Sequence, residues 1–455
     1  MRILHLSDIH FQTPICSTPD LDPDEAFRVR LEEDLAELCN DGVPVDIVLV
    51  GGDIAYKAAP DEYAAAKKWL LRVAEICRCH QSRIFTVPGN HDVDWNICAQ
   101  VPVSNAQEAV ARELGFHKRD QELNRQLGHA ASAQAMFQPM EAYNEFAAQF
   151  QCNVFPERPF WHQTVDLEHG VKLRVFGLTS TLLSGGGGRD KTPGKLFLGS
   201  RQTVLKPDAD VVALVLCHHP PSWFSDATDA GNLIDARAKL QFFGHEHDQR
   251  CVRPPEYMRF HAGAVNPERD AAAWKPGYNL VDLRVEGEGV ARELKIEAHL
   301  RQFQPAPNEL FLPYLTVKRE SVWTHTISIP QLLRPKSSVG AVPTPQHPPQ
   351  NETKIAAAVQ AALDGVRQEH DEPPPRSEQP PEFNVSKPST DNLVFRFWQL
   401  RVDEMRDIAL DLGLISKADL DLQPPQRYFK AMEVAKQKGL LVELASRVEK
   451  HEKNE

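Results

Sequence analysis

The sequence lacks the long apolar runs and the paired cysteines that would place it in a membrane or outside the cell. No apolar stretch in its 455 residues approaches the length that crosses a bilayer, and the run at 3–6 is too short for the core of a signal peptide. The eight cysteines are scattered, without the spacing of a zinc ribbon or of a secreted disulfide framework. We therefore predict a cytoplasmic protein with no membrane partner.

Basic charge is scarce in most of the chain. Lys and Arg number 51 against 63 Asp and Glu, which gives a net charge of -12. From residue 393 onward the signs are equal, 11 of each, so the first 392 residues carry 40 basic and 52 acidic side chains. Because neutralising phosphates supplies most of the affinity for long nucleic acid, this balance disfavours nucleic acid as a partner. It does not exclude a nuclease, because bound metal ions reverse the local sign.

Proline divides the chain into parts. Twelve prolines lie between 330 and 388, a composition that cannot bury a core and that predicts a linker. Within the first part, a mostly helical insert at about 95–155 either roofs the site or packs as ordinary outer helices. The predicted parts are a catalytic domain at 1–302, an accessory strand segment at 303–329, the linker at 330–390 and a helical domain at 391–455.

Five short runs rich in β-branched or aromatic residues have the pattern of buried strands. Helical spacing between the first three predicts an α/β fold with a parallel sheet and right-handed crossovers. In such sheets ligands bind beyond the carboxyl ends of the strands, so we expect one site at one edge of one sheet. The runs lie at 2–6, 46–50, 83–87, 211–216 and 239–243.

Each of these runs is followed by residues that bind metals. A single His or Asp after a strand is usually turn chemistry or a surface group, whereas five clusters together predict a metal site. If the chain is extended there, Asp8 and His10 point the same way, and His91 turns from the metal towards the substrate. The clusters are Asp8 with His10, Asp53, Asn90 with His91, His218 with His219, and His245 with His247.

In this order the clusters resemble the motifs of the calcineurin-like metallophosphoesterases, over roughly the first 300 residues. The motifs are Asp8-Ile9-His10, Gly52-Asp53, Gly89-Asn90-His91-Asp92, the lone His218 and Gly244-His245-Glu246-His247. The resemblance implies a four-layer α/β/β/α sandwich with two metal ions.

The same resemblance assigns the ligands. One ion is expected on Asp8, His10, Asp53 and His247, and the other on Asp53, Asn90, His218 and His245. Asp53 would bridge the two. His219 then supports its neighbours without being a ligand. The mixture of imidazole, carboxylate and amide ligands leaves Mn, Fe, Zn or similar divalent or trivalent ions open.

The chemistry implied by the resemblance is hydrolysis of a phosphodiester by a metal-bridging hydroxide, in line with the leaving alkoxide. His91 is the implied catalytic residue, which protonates the leaving group or stabilises the transition state. Asp92 either orients His91 or makes a turn. In the phosphoprotein phosphatases of this superfamily an aspartate stands three residues after the bridging one, whereas this chain has Tyr56. The phosphate-gripping arginines of those enzymes also have no evident counterpart, so serine/threonine phosphatase activity is disfavoured.

Two segments, 3–11 and 216–221, are most similar to the bacterial phosphodiesterase branch, which includes cyclic-nucleotide phosphodiesterases. A glycine-rich segment at 184–191 is either a plain connector or a mobile loop that brings Arg189 or Lys191 to a phosphate.

The C-terminal residues from 393 have apolar positions at helical intervals and predict three to five short helices. Segments 397–400, 402–414 and 435–444 resemble bacterial effector-associated domains, which are death-like helical adaptors. This resemblance implies a protein partner with a similar domain.

The leading hypothesis is therefore a dinuclear-metal phosphodiesterase for a cyclic nucleotide or another small nucleotide, tethered to an interaction domain. A metal-dependent nuclease effector of a bacterial conflict system is an alternative, because nucleases of the double-strand-break-repair type share the ligand set. A protein that acts mainly as an adaptor is a second alternative, and the complete ligand set argues against it.

Overall fold

A computed structural model describes residues 1–185, 188–267 and 275–330, together with residues 393, 397, 400, 402–416, 419 and 424–452 near the C-terminus. The chain divides into two compact units, Met1–Val339 and Gly340–Glu455. Apart from residue 330, the predicted linker lies outside the described residues. Across the described ranges, no helix combines the length and the apolar character of a membrane span.

The first unit contains a seven-stranded sheet that includes the first three predicted strands. β1, β2 and β3 are parallel neighbours, β10 pairs antiparallel with β1, and β11 pairs antiparallel with β10. The last two strands both pair with β11. The strands are β1 Arg2–Leu6, β2 Ile47–Val50, β3 Ile84–Thr86, β10 Gly277–Glu286, β11 Glu293–Gln304, β12 Leu310–Pro313 and β13 Trp323–Ser328.

A second sheet of six strands has the order β4-β5-β6-β7-β9-β8. Its central strands β5, β6, β7 and β9 are parallel, and β4 and β8 are antiparallel edge strands. The strands are β4 Phe160–Asp166, β5 Lys172–Leu178, β6 Val211–Cys217, β7 Leu240–Phe243, β8 Arg250–Val252 and β9 Met258–His261.

The expectation of one sheet was wrong, because β1 to β3 lie in one sheet and β6 and β7 in the other. An apolar run reports that a strand is buried, but strand pairing depends on contacts far apart in sequence. The α/β fold with two sheets and flanking helices that the family resemblance implies is confirmed.

The helices of the first unit separate the strands and form the insert after β3. Residue Pro60 begins α2, and the Glu62 carboxylate accepts hydrogen bonds from the backbone N–H groups of Tyr56, Lys57 and Ala59 at 3.1, 2.8 and 3.1 Å. The helices are α1 Glu25–Leu38, α2 Pro60–Ile76, α3 Trp95–Cys98, α4 Val101–Arg112, α5 Phe116–Leu127, α6 Ala130–Phe137, α7 Glu141–Ala148, α8 Ser200–Thr203 and α9 Ala227–Arg237.

Three helices are present in the described part of the second unit, α10 Val402–Asp411, α11 Pro424–Gln437 and α12 Leu441–Glu452. Apolar residues of these helices and of the described residues before them form a separate core, in which the Phe397 and Tyr428 rings meet edge to face with centroids 6.0 Å apart. The helical character predicted for this region is therefore confirmed for the described residues.

Candidate metal centre

All seven predicted ligands follow the carboxyl ends of strands. Asp8 and His10 come after β1, Asp53 after β2 and Asn90 after β3 in the first sheet, while His218 follows β6 and His245 and His247 follow β7 in the second. The two sheets meet at these ends, where His218 Nδ1 contacts Gly51 O at 2.8 Å and His245 N donates to Asp8 Oδ1 at 3.2 Å. The cluster therefore lies between two sheets.

Asp53 stands at the middle of the cluster. Its Oδ2 atom lies 3.3 Å from Nε2 of His10 and 3.3 Å from Nε2 of His218. The side chain is 2% exposed, and that of Asp8 is fully buried. Two buried carboxylates in one cluster need positive charge beside them, because an uncompensated charge away from water is very costly.

The remaining donors form two groups on either side of Asp53. On one side, Asp8 Oδ1 is 3.1 Å from His247 Nε2. On the other side, Asn90 Oδ1 is 3.1 Å from His218 Nε2 and 2.9 Å from His245 Nδ1. Oxygen and imidazole nitrogen donors at this spacing fit divalent cations, and the shared Asp53 oxygen fits a pair of them.

Backbone carbonyls set which nitrogen of each ring is free to bind a cation. His10 Nδ1 lies 3.2 Å from Asn266 O, and His218 Nδ1 lies 2.8 Å from Gly51 O. Because a carbonyl oxygen can only accept, Nδ1 carries the proton in both neutral rings and Nε2 keeps its lone pair. Metal-binding histidines are commonly fixed in this way.

Charge within the cluster shifts the protonation of these groups. Burial disfavours a charged ring at His218, but the carboxylates of Asp53 and Asp8 outweigh it and raise the pKa of His218 to about 9. Burial likewise opposes ionisation of Asp53, yet His218 and His91 hold the pKa of that carboxyl well below its usual value. A cation therefore competes with a proton on His218, and metal affinity rises with pH.

The local conformation differs from the extended chain expected from the two-residue spacing. Five of the predicted ligands have positive φ: Asp8 (56°), His10 (54°), Asp53 (50°), His245 (68°) and His247 (54°). Asn90, His91 and Asp92 form a 3-10 turn. The side chains converge because the backbone turns sharply after each strand. Left-handed residues other than glycine cost roughly 1–3 kcal/mol each and concentrate at functional sites.

Glycines in the motifs allow this close approach. A Cβ atom on Gly89 would stand 2.1 Å from Asp53 Oδ1 and 2.3 Å from Asp53 N, and one on Gly244 would stand 2.1 Å from Ser7 Oγ. Gly52 has φ of +95° and lies against Gly89 N. Side chains at these positions would push the ligand loops apart.

We expect Gly89→Ala to remove bound metal, because the new methyl group displaces the Asp53 carboxylate. The measurement is metal content by mass spectrometry after dialysis, beside the urea unfolding midpoint. Gly231→Ala in α9 is the matched control, since its Cβ would meet only Pro221 Cβ at 3.5 Å. Full metal content in Gly89→Ala would contradict this account.

His91 lies beside the cluster and is held by Tyr56. His91 Nδ1 is 2.9 Å from Tyr56 O, so it donates there, and the two rings stack with centroids 4.9 Å apart at 24°. His91 N donates to Asp53 Oδ1 at 2.7 Å. Tyr56 occupies the position where the phosphatases carry a supporting aspartate. In this chain its backbone carbonyl and its ring hold His91 instead. His91, His10 and Asp53 also place donor atoms within 4.8 Å of one another, so geometry permits His91 as a ligand.

Asp92 has a turn role. Its fully buried carboxylate accepts hydrogen bonds from the backbone N–H groups of Ile54 (3.2 Å), Ala55 (3.0 Å) and Gly89 (2.9 Å), and from Tyr63 Oη (3.1 Å). Burial, and then the charge of Asp53, raise the pKa of Asp92 to about 6. Asp92 therefore ties the loop after β2 to the loop after β3.

His219 packs on His245, with ring centroids 4.3 Å apart. Its Nδ1 is 2.8 Å from Ser180 Oγ, while its Nε2 has no hydrogen-bond partner among the described residues. Burial, and then the neighbouring His245 and His218, lower the pKa of His219, so the ring is neutral. Its supporting role stays a prediction, because His219 also groups with His218 and His245.

The glycine-rich segment and the insert are joined to each other near the site. Arg189 pairs with Glu108 of α4, and Asp190 accepts from Ser184 Oγ at 2.6 Å. Arg189 is thus engaged in an ion pair, and a phosphate contact by Arg189 or Lys191 stays a prediction. At the start of the insert, Trp95 Nε1 donates to Asn90 O at 3.1 Å. The insert therefore borders the cluster through its first helix.

A family model for the calcineurin-like phosphoesterases matches residues 1–249, more than half of the chain. The chain belongs to this family. Its members are metal-dependent phosphoester hydrolases, so the clustered donors are those expected of a hydrolase. Residues 389–450 match a second model, the GTPase-associated adaptor domain.

Solved structures with similar folds are distant in sequence. Vps29 of Chaetomium thermophilum is 11% identical, with 72% of this chain and 99% of that chain covered and a TM-score of 0.28. Vps29 of Entamoeba histolytica, solved with zinc, is 11% identical with coverages of 72% and 99% and a TM-score of 0.25. An archaeal phosphodiesterase is 13% identical with coverages of 62% and 93% and a TM-score of 0.25. No curated protein sequence matches the chain.

Several residues contact the cluster although no sequence motif predicts their role. The carbonyls of Gly51 and Asn266 orient His218 and His10. The Trp223 ring meets the His245 ring edge to face at 4.0 Å. A backbone acceptor has no side-chain signature, so its sequence position gives no signal for it.

Proposed function

We propose that the protein is a dinuclear-metal phosphodiesterase that hydrolyses a cyclic nucleotide or another small nucleotide. The observation that supports it best is the position of Asp53 Oδ2, at 3.3 Å from one histidine nitrogen of each ligand group. In this proposal Asp8, His10, Asp53 and His247 hold one ion, and Asp53, Asn90, His218 and His245 hold the other. Mn, Fe, Zn or a similar ion suits this mixed donor set.

A bound pair of ions would polarise phosphoryl oxygens and lower the pKa of water. The chain's own contribution to catalysis centres on His91. Its Nδ1–H is committed to Tyr56 O, so the proton that reaches the leaving alkoxide comes from Nε2. Tyr56 fixes the orientation of the ring, and Asp92 fixes the loop that carries it.

The surrounding charge favours a diester over a monoester. A diester carries one negative charge at neutral pH and a monoester carries nearly two. Arg250 is paired with Glu246 and Asp248, and Arg28 is paired with Asp22 and Glu25. These arginines are already neutralised by carboxylates, which supports a substrate of lower charge.

The diester preference is tested with the Mn²⁺-loaded full chain. We expect bis-p-nitrophenyl phosphate to be hydrolysed with a kcat/KM about tenfold or more above that of p-nitrophenyl phosphate, and we expect EDTA to abolish both activities. A preference for the monoester would assign the protein to the phosphatases. Cleavage of single-stranded DNA in preference to cyclic nucleotides would favour the nuclease alternative.

We propose further that the second unit recruits a protein partner. Support comes from the adaptor-domain match and from the helical core around Phe397 and Tyr428. The name of the matched family points to a GTPase, and the effector-associated resemblance points to a partner with a similar helical domain.

Partner recruitment is tested by comparing the full chain with a chain that lacks residues 393–455 in a pull-down. We expect the partner only with the full chain. Full-length His91→Ala is the matched control, because it removes the proposed proton donor and leaves the second unit intact. Equal recovery with and without the second unit would exclude its role as the adaptor.

A further inference from the structure

An aromatic slot adjoins His91. A cavity of about 220 Å³ is lined by Tyr56, Lys57, His91, Val93, Asp94, Trp95 and Asn96. The Trp95 ring centroid is 6.1 Å from that of His91, and the ring planes are 30° apart. We call this cavity and its lining the aromatic slot.

Trp95 is held in place although its side chain is 42% exposed. Its indole N–H donates to the carbonyl of Asn90 at 3.1 Å. Asp94 Oδ1 accepts from Asn96 N at 2.8 Å and from Ile97 N at 3.3 Å, which caps the short helix that carries Trp95. A large apolar ring fixed towards solvent beside a reactive histidine marks a binding surface.

Tyr56 and Lys57 complete the slot. The loop that carries them is fixed by the Glu62 carboxylate, which accepts from both backbone N–H groups. Lys57 is exposed, and its Nζ lies 5.9 Å from the Tyr56 ring centroid. The slot therefore combines flat apolar rings with one exposed cation, as sites for nucleotides do.

A second, larger cavity of about 440 Å³ reaches the cluster from the side of His10. Its lining includes Asp22, Asp24 and Arg28, and the Arg28 guanidinium is paired with Asp22. The guanidinium of this cavity is already paired, so the cavity attracts an anionic nucleotide less than a slot with an exposed lysine does. The aromatic slot is instead next to His91, where the leaving alkoxide departs in the proposed reaction.

We infer that the aromatic slot binds the planar heteroaromatic base of the leaving nucleoside, with Trp95 as the stacking platform and the specificity-determining residue. This inference rests on the proposed function and names the part of the substrate that the site selects. The base stacks on the exposed indole face, and the exposed Lys57 adds positive charge to the same slot.

Two cyclic diesters, one with a base and one without, test the inference on the Mn²⁺-loaded full chain. They are adenosine 2′,3′-cyclic monophosphate and glycerol 1,2-cyclic phosphate, which share a five-membered phosphate ring. The measured quantity is the ratio of their kcat/KM values. We expect the wild-type ratio to favour the adenosine compound, and Trp95→Ala to lower that ratio roughly 5- to 100-fold, the range for loss of one stacked base.

Two further variants separate stacking from other roles. Trp95→Phe keeps a ring but loses the N–H bond to Asn90, and we expect it to retain most of the ratio. Ile15→Ala removes a side chain that is 40% exposed and lines the larger cavity, and we expect it to leave the ratio unchanged.

The other outcomes overturn the inference in identifiable ways. Equal losses for both substrates in Trp95→Ala would make Trp95 a structural support, and a ratio lowered only by Ile15→Ala would place the base in the larger cavity. If wild-type protein hydrolyses neither diester, the proposed function fails by itself. Equilibrium dialysis with adenosine 3′-monophosphate then tests whether the slot binds the base. Undiminished binding by Trp95→Ala overturns this inference, and loss of binding supports it.

Discussion

Asp53→Asn is expected to lose both metal ions together and to reduce hydrolysis about 10³-fold or more. The substitution replaces a charged oxygen, placed 3.3 Å from the nearest nitrogen of both His10 and His218, by a neutral amide. Loss of the Lewis-acid ions raises the activation free energy by several kcal/mol, and each 1.36 kcal/mol lowers the rate about tenfold. Metal content per chain and kcat/KM for bis-p-nitrophenyl phosphate are the two measurements.

A carboxylate outside the cluster provides the control for this change. Asp282 on β10 pairs with Arg2 at 2.8 Å, and we expect Asp282→Asn to keep its metal and its activity. Retention of one full equivalent of metal in Asp53→Asn would mean that Asp53 serves a single ion and that another group bridges.

His91→Ala is expected to keep the full metal content while lowering kcat for an alkoxide leaving group by about 10² to 10⁴, the range for loss of a general acid. The reason is that His91 Nδ1 is bound to Tyr56 O, which leaves one ring nitrogen for proton transfer. His162→Ala on β4, an exposed histidine, is the control, and we expect it to behave as wild type.

Two substrates with different leaving groups distinguish proton donation from other roles of His91. A p-nitrophenolate leaves without a proton, so we expect His91→Ala to lose far less activity on bis-p-nitrophenyl phosphate than on a cyclic nucleotide. Equal losses on both substrates would indicate that His91 stabilises charge and donates no proton. A lower metal content would instead make it a ligand, which its grouping with His10 and Asp53 allows.

The sequence predicted the cluster well because the donors lie in short motifs next to strands. Asp8, Asp53 and Asn90 follow three separate strands, and the fixed order of the motifs indicates the family. The conformation of the motifs was not predictable in the same way. An alternation argument assumes an extended chain, whereas Asp8 and His10 both have positive φ.

Contacts that involve backbone groups could not be predicted from the sequence. Tyr56 appeared only as a departure from a phosphatase motif, yet its carbonyl and its ring hold His91. The sequence left two roles open for Asp92, orienting His91 or making a turn. The hydrogen bonds from the backbone N–H groups of Ile54, Ala55 and Gly89 favour the turn role. Such contacts join loops that only folding brings together.

By itself the sequence determined the family, the motifs that supply the clustered donor side chains, and the presence of a helical region after the proline-rich segment. Those features depend on residue type, order and local periodicity, which a sequence displays directly. Only the tertiary structure decided that the strands before the motifs belong to two sheets, that one Asp53 oxygen lies 3.3 Å from both His10 and His218, and that Trp95 lies beside His91. These facts depend on pairing and packing between residues far apart in the chain, and no local pattern encodes them.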